Sequence, residues 1–406
     1  MAKCPYCASA RLGNSPSGRH QICLACQRIL LLPSLAKTTR RGPRGKASTP
    51  WFPPAVAGRA RRVNDAPWSR LRGVGRRWPD EFTCRHMPRR AIYLLLLLIL
   101  LLPCNSPAAE NLQTFLNTRM RPRQGAVLIS NPITGELLAA WNARLAFDRA
   151  LPPGSTAKLV SAAAALEEGV ISPEDRILCR RVPRFLGEPF HCAHPPASEP
   201  YTLTSALACS CNYFFAELSV RLTPDALARW YAAFGFGQPL DCLGARHASG
   251  LVRIGASEVA RARAAIGEGS ILVTPAQLLL AYSAIATEGQ AYCLWQRSSK
   301  LAGAPHLSRR VRLQPKTLGT LRAGFQQCVE SGTCQGAAVP GVEVAGKTGT
   351  ATAHGASLAW FVGYAPADKP QVAIVVFLER GTGAADAAPL AGQILKEYFT
   401  RKGARR

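Results

Sequence analysis

Pro153-Gly154-Ser155-Thr156-Ala157-Lys158 opens an alanine-rich run that continues to Glu168 and stops before Gly169. Proline and glycine ahead of such a run mark a helix start, and glycine behind it marks the stop. The run predicts a helix over 155–168. Ser155 and Lys158 are three residues apart, so their side chains share one helix face. At the first turn Ser155 lies beside the positive end of the helix dipole, which favours developing negative charge. A serine there is ordinarily a helix cap. A second Ser-x-x-Lys, Ser34-Leu35-Ala36-Lys37, lies in a basic segment with no helix-forming run behind it. Two later strings set the first one apart: Ser210-Cys211-Asn212, then Lys347-Thr348-Gly349-Thr350.

Outward from these strings, hydrophobic patterning predicts mixed α and β structure. Segments 126–130 and 137–141 read as a strand hairpin around Pro132-Ile133-Thr134-Gly135. Segments 203–220, 224–234 and 275–287 read as helices, 342–351, 358–364 and 371–378 as antiparallel strands, and 384–400 as a closing helix. Strands at both ends and helices between them predict an α/β (α+β) fold. One antiparallel sheet, built from both ends and flanked by helices, would face an all-helical lobe across a cleft. No internal repeat is visible.

The ordered triple resembles the signature of active-site serine enzymes that handle D-Ala-D-Ala peptides and β-lactams. The chain resembles the transpeptidase domain of penicillin-binding proteins from about Gly125 to about Phe399. Asn131-Pro132-Ile133-Thr134-Gly135-Glu136, Gly267-Glu268-Gly269 and Trp360-Phe361-Val362-Gly363-Tyr364-Ala365-Pro366 stand in the order this family leads one to expect. The resemblance implies a β-lactamase/transpeptidase-like fold. The family usually carries Gln where this chain has Glu268.

Acyl transfer from a peptide needs a nucleophile, a base, an oxyanion site and a grip on the substrate. The expected nucleophile is Ser155 and the expected base Lys158, made partly neutral by burial and by a second cation, Lys347. Ser210 is expected to pass a proton between Lys158 and the leaving amine. Asn212 is expected to bond the substrate amide. Strand alternation puts Lys347 and Gly349 on one face and Thr348 and Thr350 on the other. Lys347 with the threonine hydroxyls would hold a terminal carboxylate, and Gly349 would let substrate backbone approach. The N–H groups of Ser155 and Thr350 would form the oxyanion hole. His354 offers an alternative base in a serine–histidine arrangement.

The formal charge is +26 over 406 residues, and it is uneven. Residues 1–90 hold 19 Lys and Arg against 3 Asp and Glu, while the other 316 hold 31 against 21. The basic block precedes a twelve-residue apolar run, 91–102. The preference for positive charge on the cytoplasmic side of a membrane accounts for the block, and no nucleic-acid partner is expected. A run of this length, behind Met87-Pro88-Arg89-Arg90 and before Ser106-Pro107-Ala108-Ala109, reads as a signal peptide or short anchor over 87–109. Residues 110–406 would then be exported to the periplasm, as a secreted domain or one held at the inner membrane. Residues 1–86 have two readings: sequence ahead of the true start at Met87, or a cytoplasmic tail. For the second, Cys4-x-x-Cys7 and Cys23-x-x-Cys26 have the spacing of a zinc ribbon. The competing account is coincidence in a chain with 14 cysteines.

Eight cysteines follow residue 110: Cys179, Cys192, Cys209, Cys211, Cys242, Cys293, Cys328 and Cys334. An even number in an exported domain allows disulfides. The expected one is Cys179–Cys192, which flank a turn-rich segment. Cys328 and Cys334 also flank a turn. Cys211 reads as a small buried hydrophobe, and no metal-ligand spacing is evident in this part.

Three functions compete. The first is a D,D-transpeptidase or D,D-carboxypeptidase acting on peptidoglycan stem peptides, inhibited by β-lactams and needing no cofactor for catalysis. The second is a β-lactamase, with Glu268 as candidate activator of the deacylating water. The third is a non-catalytic β-lactam sensor signalling through residues 1–86.

Overall fold

The computed structural model describes residues 12–14, 20–23, 29–31, 107–182, 184–242, 245–296, 305–353 and 355–403. The chain divides into two compact units, Met1–Arg85 and His86–Arg406. In the first, three short strands, Leu12–Asn14, His20–Cys23 and Ile29–Leu31, pair antiparallel in chain order. Cys4, Cys7 and Cys26, the side chain of Cys23, the apolar run 91–102 and His354 lie outside the described residues.

In the second unit, helix α1 (Pro107–Met120) leads into strands β1 (Gly125–Ser130) and β2 (Leu137–Trp141). The Asn131 side chain closes their turn, accepting from Ile133 N at 2.9 Å. Strands β3 (Ala345–Ala353), β4 (Ala356–Ala365) and β5 (Val372–Leu378) arrive from the far end of the chain. All five form one antiparallel sheet in the order β3-β4-β5-β1-β2. The expected joining of both chain ends in one sheet is therefore found, and β5 pairs with β1 across that join.

Both faces of the sheet are covered, and strand alternation sorts the side chains. Leu128, Trp360, Val375 and Phe377 point into a core shared with the central helices. Val127, Ile129, Ile374 and Val376 point into a second core with α1 and the closing helix α10 (Ala388–Gly403). The central helices are α2 (Ala143–Asp148), α3 (Lys158–Glu167), α4 (Leu203–Ala208), α5 (Asn212–Arg221), α6 (Pro224–Ala233), α7 (Glu258–Ala265), α8 (Pro275–Ala286) and α9 (Pro315–Glu330).

Two expected helices differ in detail. The one over 155–168 begins as a tight 3₁₀ turn, Gly154–Ala157, before α3. The one over 203–220 is two helices, α4 and α5. Ser210 sits between them at φ +59°, a left-handed conformation uncommon for a side-chain-bearing residue. Cys211 then caps α5, its sulfur accepting from Phe214 N at 3.4 Å.

The disulfide among the described residues is Cys328–Cys334. The expected Cys179–Cys192 bond is absent: the two sulfurs are 3.8 Å apart. Cys192 also faces a third sulfur, Cys211, at 3.9 Å, so the turn between Cys179 and Cys192 does not by itself select their pairing.

Phe377 is fully buried, with its ring centroid 4.5 Å from that of Trp360. Phe377→Ala is expected to destabilise the unit by about 3–5 kcal/mol. Urea unfolding followed by tryptophan fluorescence measures it.

Candidate active site

The 3₁₀ turn carries half-buried Ser155 outward at the start of α3 and turns Lys158 inward, where it is fully buried. Lys158 Nζ reaches Ser210 O at 2.7 Å, Ser210 Oγ at 3.1 Å and Asn212 Oδ1 at 2.5 Å. As an ammonium, its three N–H groups therefore have three acceptors. Two of these, the Ser210 carbonyl and the Asn212 amide oxygen, can only accept. The Ser210 hydroxyl can reverse, donating to Nζ once the amine is neutral. The break between α4 and α5 makes this possible, because it aims both Ser210 oxygens and the Asn212 side chain at one point.

Burial pulls the Lys158 pKa down to about 8. The expected helper, Lys347, is fully buried too, and its pKa lies well below the usual lysine value through burial and then the charge of Lys158. Desolvation is thus the main cause at both sites, with charge repulsion second and felt at Lys347. Among the described residues, Lys347 Nζ makes one hydrogen bond, donating to Thr348 O at 3.3 Å.

β3 is an edge strand, and its open side lies against the turn that carries Ser155. Gly154 adopts φ +52°, and a Cβ there would stand 2.6 Å from Thr350 O. A Cβ on Gly349 would stand 2.7 Å from Pro153 O and 2.9 Å from Thr156 Cγ2. Gly349 thus lets the Pro153–Thr156 turn approach the strand closely. The Asn212 amide bridges two elements: its Nδ2 donates to His191 O at 2.7 Å while Oδ1 accepts from Lys158, which leaves one N–H and one oxygen lone pair for a further partner. Thr348 Oγ1 is buried against Thr333 Oγ1 at 2.6 Å, and exposed Thr350 accepts through Oγ1 from Gly383 N at 3.0 Å. Glu268 is paired with Arg263 at 3.3 Å.

Several supports escaped sequence reading. Tyr282 donates to Thr156 O at 2.9 Å and Trp360 Nε1 to Pro152 O at 3.0 Å, bracketing the Ser155 turn. The turn closed by Cys328–Cys334 joins the other two motifs. Thr333 N donates to Ala208 O at 3.1 Å, at the end of α4, while its hydroxyl meets Thr348. Tyr282 and Thr333 lie in unremarkable sequence, and only the disulfide's turn carried a signal.

Residues 125–398 match the family model described as the penicillin binding protein transpeptidase domain. The chain belongs to this family. It is 31% identical over 275 residues to the peptidoglycan D,D-transpeptidase PbpA of Mycolicibacterium smegmatis, across 60% of this chain and 54% of that protein. It is 29% identical over 293 residues to stage V sporulation protein D of Bacillus subtilis, across 65% of this chain and 44% of that protein. The chain thus spans about half the length of these relatives. Among solved structures, the D,D-transpeptidase domain of a peptidoglycan glycosyltransferase from Eggerthella lenta aligns with TM-score 0.64 at 24% identity, over 72% of this chain and 82% of that one. An imipenem acyl-enzyme complex of M. tuberculosis penicillin-binding protein A aligns with TM-score 0.60 at 24% identity, over 72% and 78%. Both show the same fold.

Two predictions follow from the transpeptidase-type geometry. If neutral Lys158 is the base, the second-order acylation rate by a fluorescent penicillin should fall about tenfold per pH unit below pH 8 and level off above it. A rate flat from pH 6 to pH 9 would remove Lys158 from that role. Gly349→Ala pushes a methyl into the Pro153 carbonyl, and displacing the nucleophile by about 1 Å should lower the same rate on the order of 100-fold.

Proposed function

We propose that this chain is a serine D,D-transpeptidase that cleaves the D-Ala-D-Ala end of peptidoglycan stem peptides through an acyl-enzyme on Ser155. The observation that carries the reading is the set of contacts at Lys158 Nζ, which ties the first motif to the second beside the Lys347 strand. Neutral Lys158 takes the Ser155 proton as Oγ bonds to the carbonyl carbon. The resulting oxyanion is held by the N–H groups of Ser155 and Thr350, each worth roughly 10²–10³ in rate. The C–N bond then breaks, and the proton passes from Lys158 through the Ser210 hydroxyl to the departing D-Ala amine. An acceptor amine completes transpeptidation, and water completes carboxypeptidation.

Lys347 gives the terminal carboxylate of the stem peptide, or of a β-lactam, its counter-ion. Buried and short of acceptors, it gains its charge most readily when that carboxylate arrives. Thr350 presents an exposed hydroxyl alongside, while Thr348 braces the strand through Thr333. The scheme uses side chains and backbone donors alone. Glu268, paired with Arg263, is a poor activator of a deacylating water, which weighs against the β-lactamase reading. Substrate class, the basic and apolar pattern of 87–109 and the Cys328–Cys334 disulfide together support an extracytoplasmic domain beside the inner membrane.

Benzylpenicillin should add one acyl group on Ser155, located by peptide mapping, and Ser155→Ala should carry none. Lys158→Arg should be nearly inactive in acylation, because arginine cannot be deprotonated in a protein. Lys347→Arg keeps the charge and should stay measurably faster than Lys347→Ala. Label on another serine, or Lys158→Arg acylating as fast as Lys347→Arg, would overturn the assignment.

A further inference from the structure

Three sulfurs and a histidine ring meet immediately behind the second motif. The ligand atoms of Cys179, Cys192, His194 and Cys211 all lie within 4.8 Å of one another, and Cys179, His194 and Cys211 are buried. We propose that these four residues bind one zinc ion, which pins the loop carrying Cys179, Cys192 and His194 to the Ser210–Asn212 turn.

The spacing fits a tetrahedral ion. Zinc–sulfur bonds of about 2.3 Å at tetrahedral angles put the sulfurs about 3.8 Å apart. The Cys179–Cys192 and Cys192–Cys211 separations are 3.8 and 3.9 Å. A disulfide brings its sulfurs to about 2.05 Å and can use only two of the three. It would leave the third sulfur unbridged and the buried His194 Nε2 without a partner.

The histidine supplies an independent argument. Nδ1 of His194 stands 2.7 Å from Pro195 O, a backbone acceptor, so Nδ1 carries the proton. Nε2 is then a bare lone pair, and it is buried with no hydrogen-bond partner. A zinc-bound histidine characteristically donates its other ring nitrogen to a carbonyl in this way. The sulfurs are likewise prepared for negative charge. Tyr213 N donates to Cys192 Sγ at 3.3 Å and Phe214 N to Cys211 Sγ at 3.4 Å. Both N–H groups belong to the first turn of α5, where the helix dipole favours anions. Binding releases the thiol protons and leaves three thiolates, one imidazole and one divalent cation.

The loop is mostly irregular. Between Ile177 and Tyr201, which pair backbone to backbone, the regular structure among the described residues is one two-residue hairpin, Arg184–Phe185 with Glu188–Pro189, and the other anchors include buried Phe190 and the Glu188–Arg263 ion pair. Yet His191 O in this loop receives the Asn212 amide that positions Lys158. Cys211 itself lies between Ser210 and Asn212. An ion here would fasten both residues that bond the base, Ser210 and Asn212, and the His191 carbonyl that holds Asn212.

The test is metal content of the full chain, isolated without chelator or reductant. Cys4, Cys7, Cys23 and Cys26 are first replaced together by serine, so that zinc at the N-terminal cysteines cannot be counted. This chain should hold one zinc per molecule by mass spectrometry. Cobalt exchanged into it should give a thiolate-to-cobalt charge-transfer band. Adding Cys192→Ala should remove the zinc; adding His194→Cys, which keeps four ligands, or Cys209→Ala, a neighbour outside the cluster, should retain it. Stripping the ion should slow penicillin acylation about tenfold or more. A zinc-free native chain, or a Cys179–Cys192 or Cys192–Cys211 disulfide in most molecules, would overturn the proposal even if Cys192→Ala fails to fold.

Discussion

A lysine ammonium buried away from water is the constraint from which the rest of the site follows. Removing such a charge from water is costly unless it is paired and hydrogen-bonded. The protein meets this cost at Lys158 with three oxygens from one short turn, and burial still lowers the pKa to about 8. The two opposing effects leave an amine that can change protonation near neutral pH. Any shift of the α4–α5 break would leave a buried donor without its acceptor. That explains why Ser210 is held in a left-handed conformation that most residues avoid.

The same economy appears around it. The Ser155 turn has the edge of β3 on one side, where Gly154 and Gly349 remove the atoms that would collide. Tyr282 and Trp360 take two of its carbonyls. The turn closed by Cys328–Cys334 touches the end of α4 through Thr333 N and β3 through the Thr333 hydroxyl. Three motifs far apart in the chain are therefore set by short-range contacts. The sheet supplies the frame, because its two covered faces hold β3 against lateral movement.

The helices α3, α6, α8 and α10 and the five sheet strands were legible where burial imposes a pattern on the chain. β5 is buried at every position and β1 likewise, so both appear as uninterrupted apolar runs. The helix α9 was not legible, because its Gly319 and Gly324 and mixed polarity blur the pattern that its buried face keeps. The single helix expected over 203–220 failed for a different reason. Helix propensity is continuous across Cys209–Cys211, and the break is imposed by what surrounds Lys158.

Order and spacing of Ser155, Lys158, Ser210, Asn212 and Lys347 were determined by sequence alone, and so was the family to which they point, since covalent order survives without any coordinates. The tertiary structure decided what each group does with its neighbours. It linked the Asn212 amide to both Lys158 and His191 O, and set Gly349 against the turn that carries Ser155. It also gathered Cys179, Cys192, His194 and Cys211 from spacings that match no ligand pattern. A side chain's partners lie across the fold at distances of a few ångströms, and separation along the chain carries no record of them.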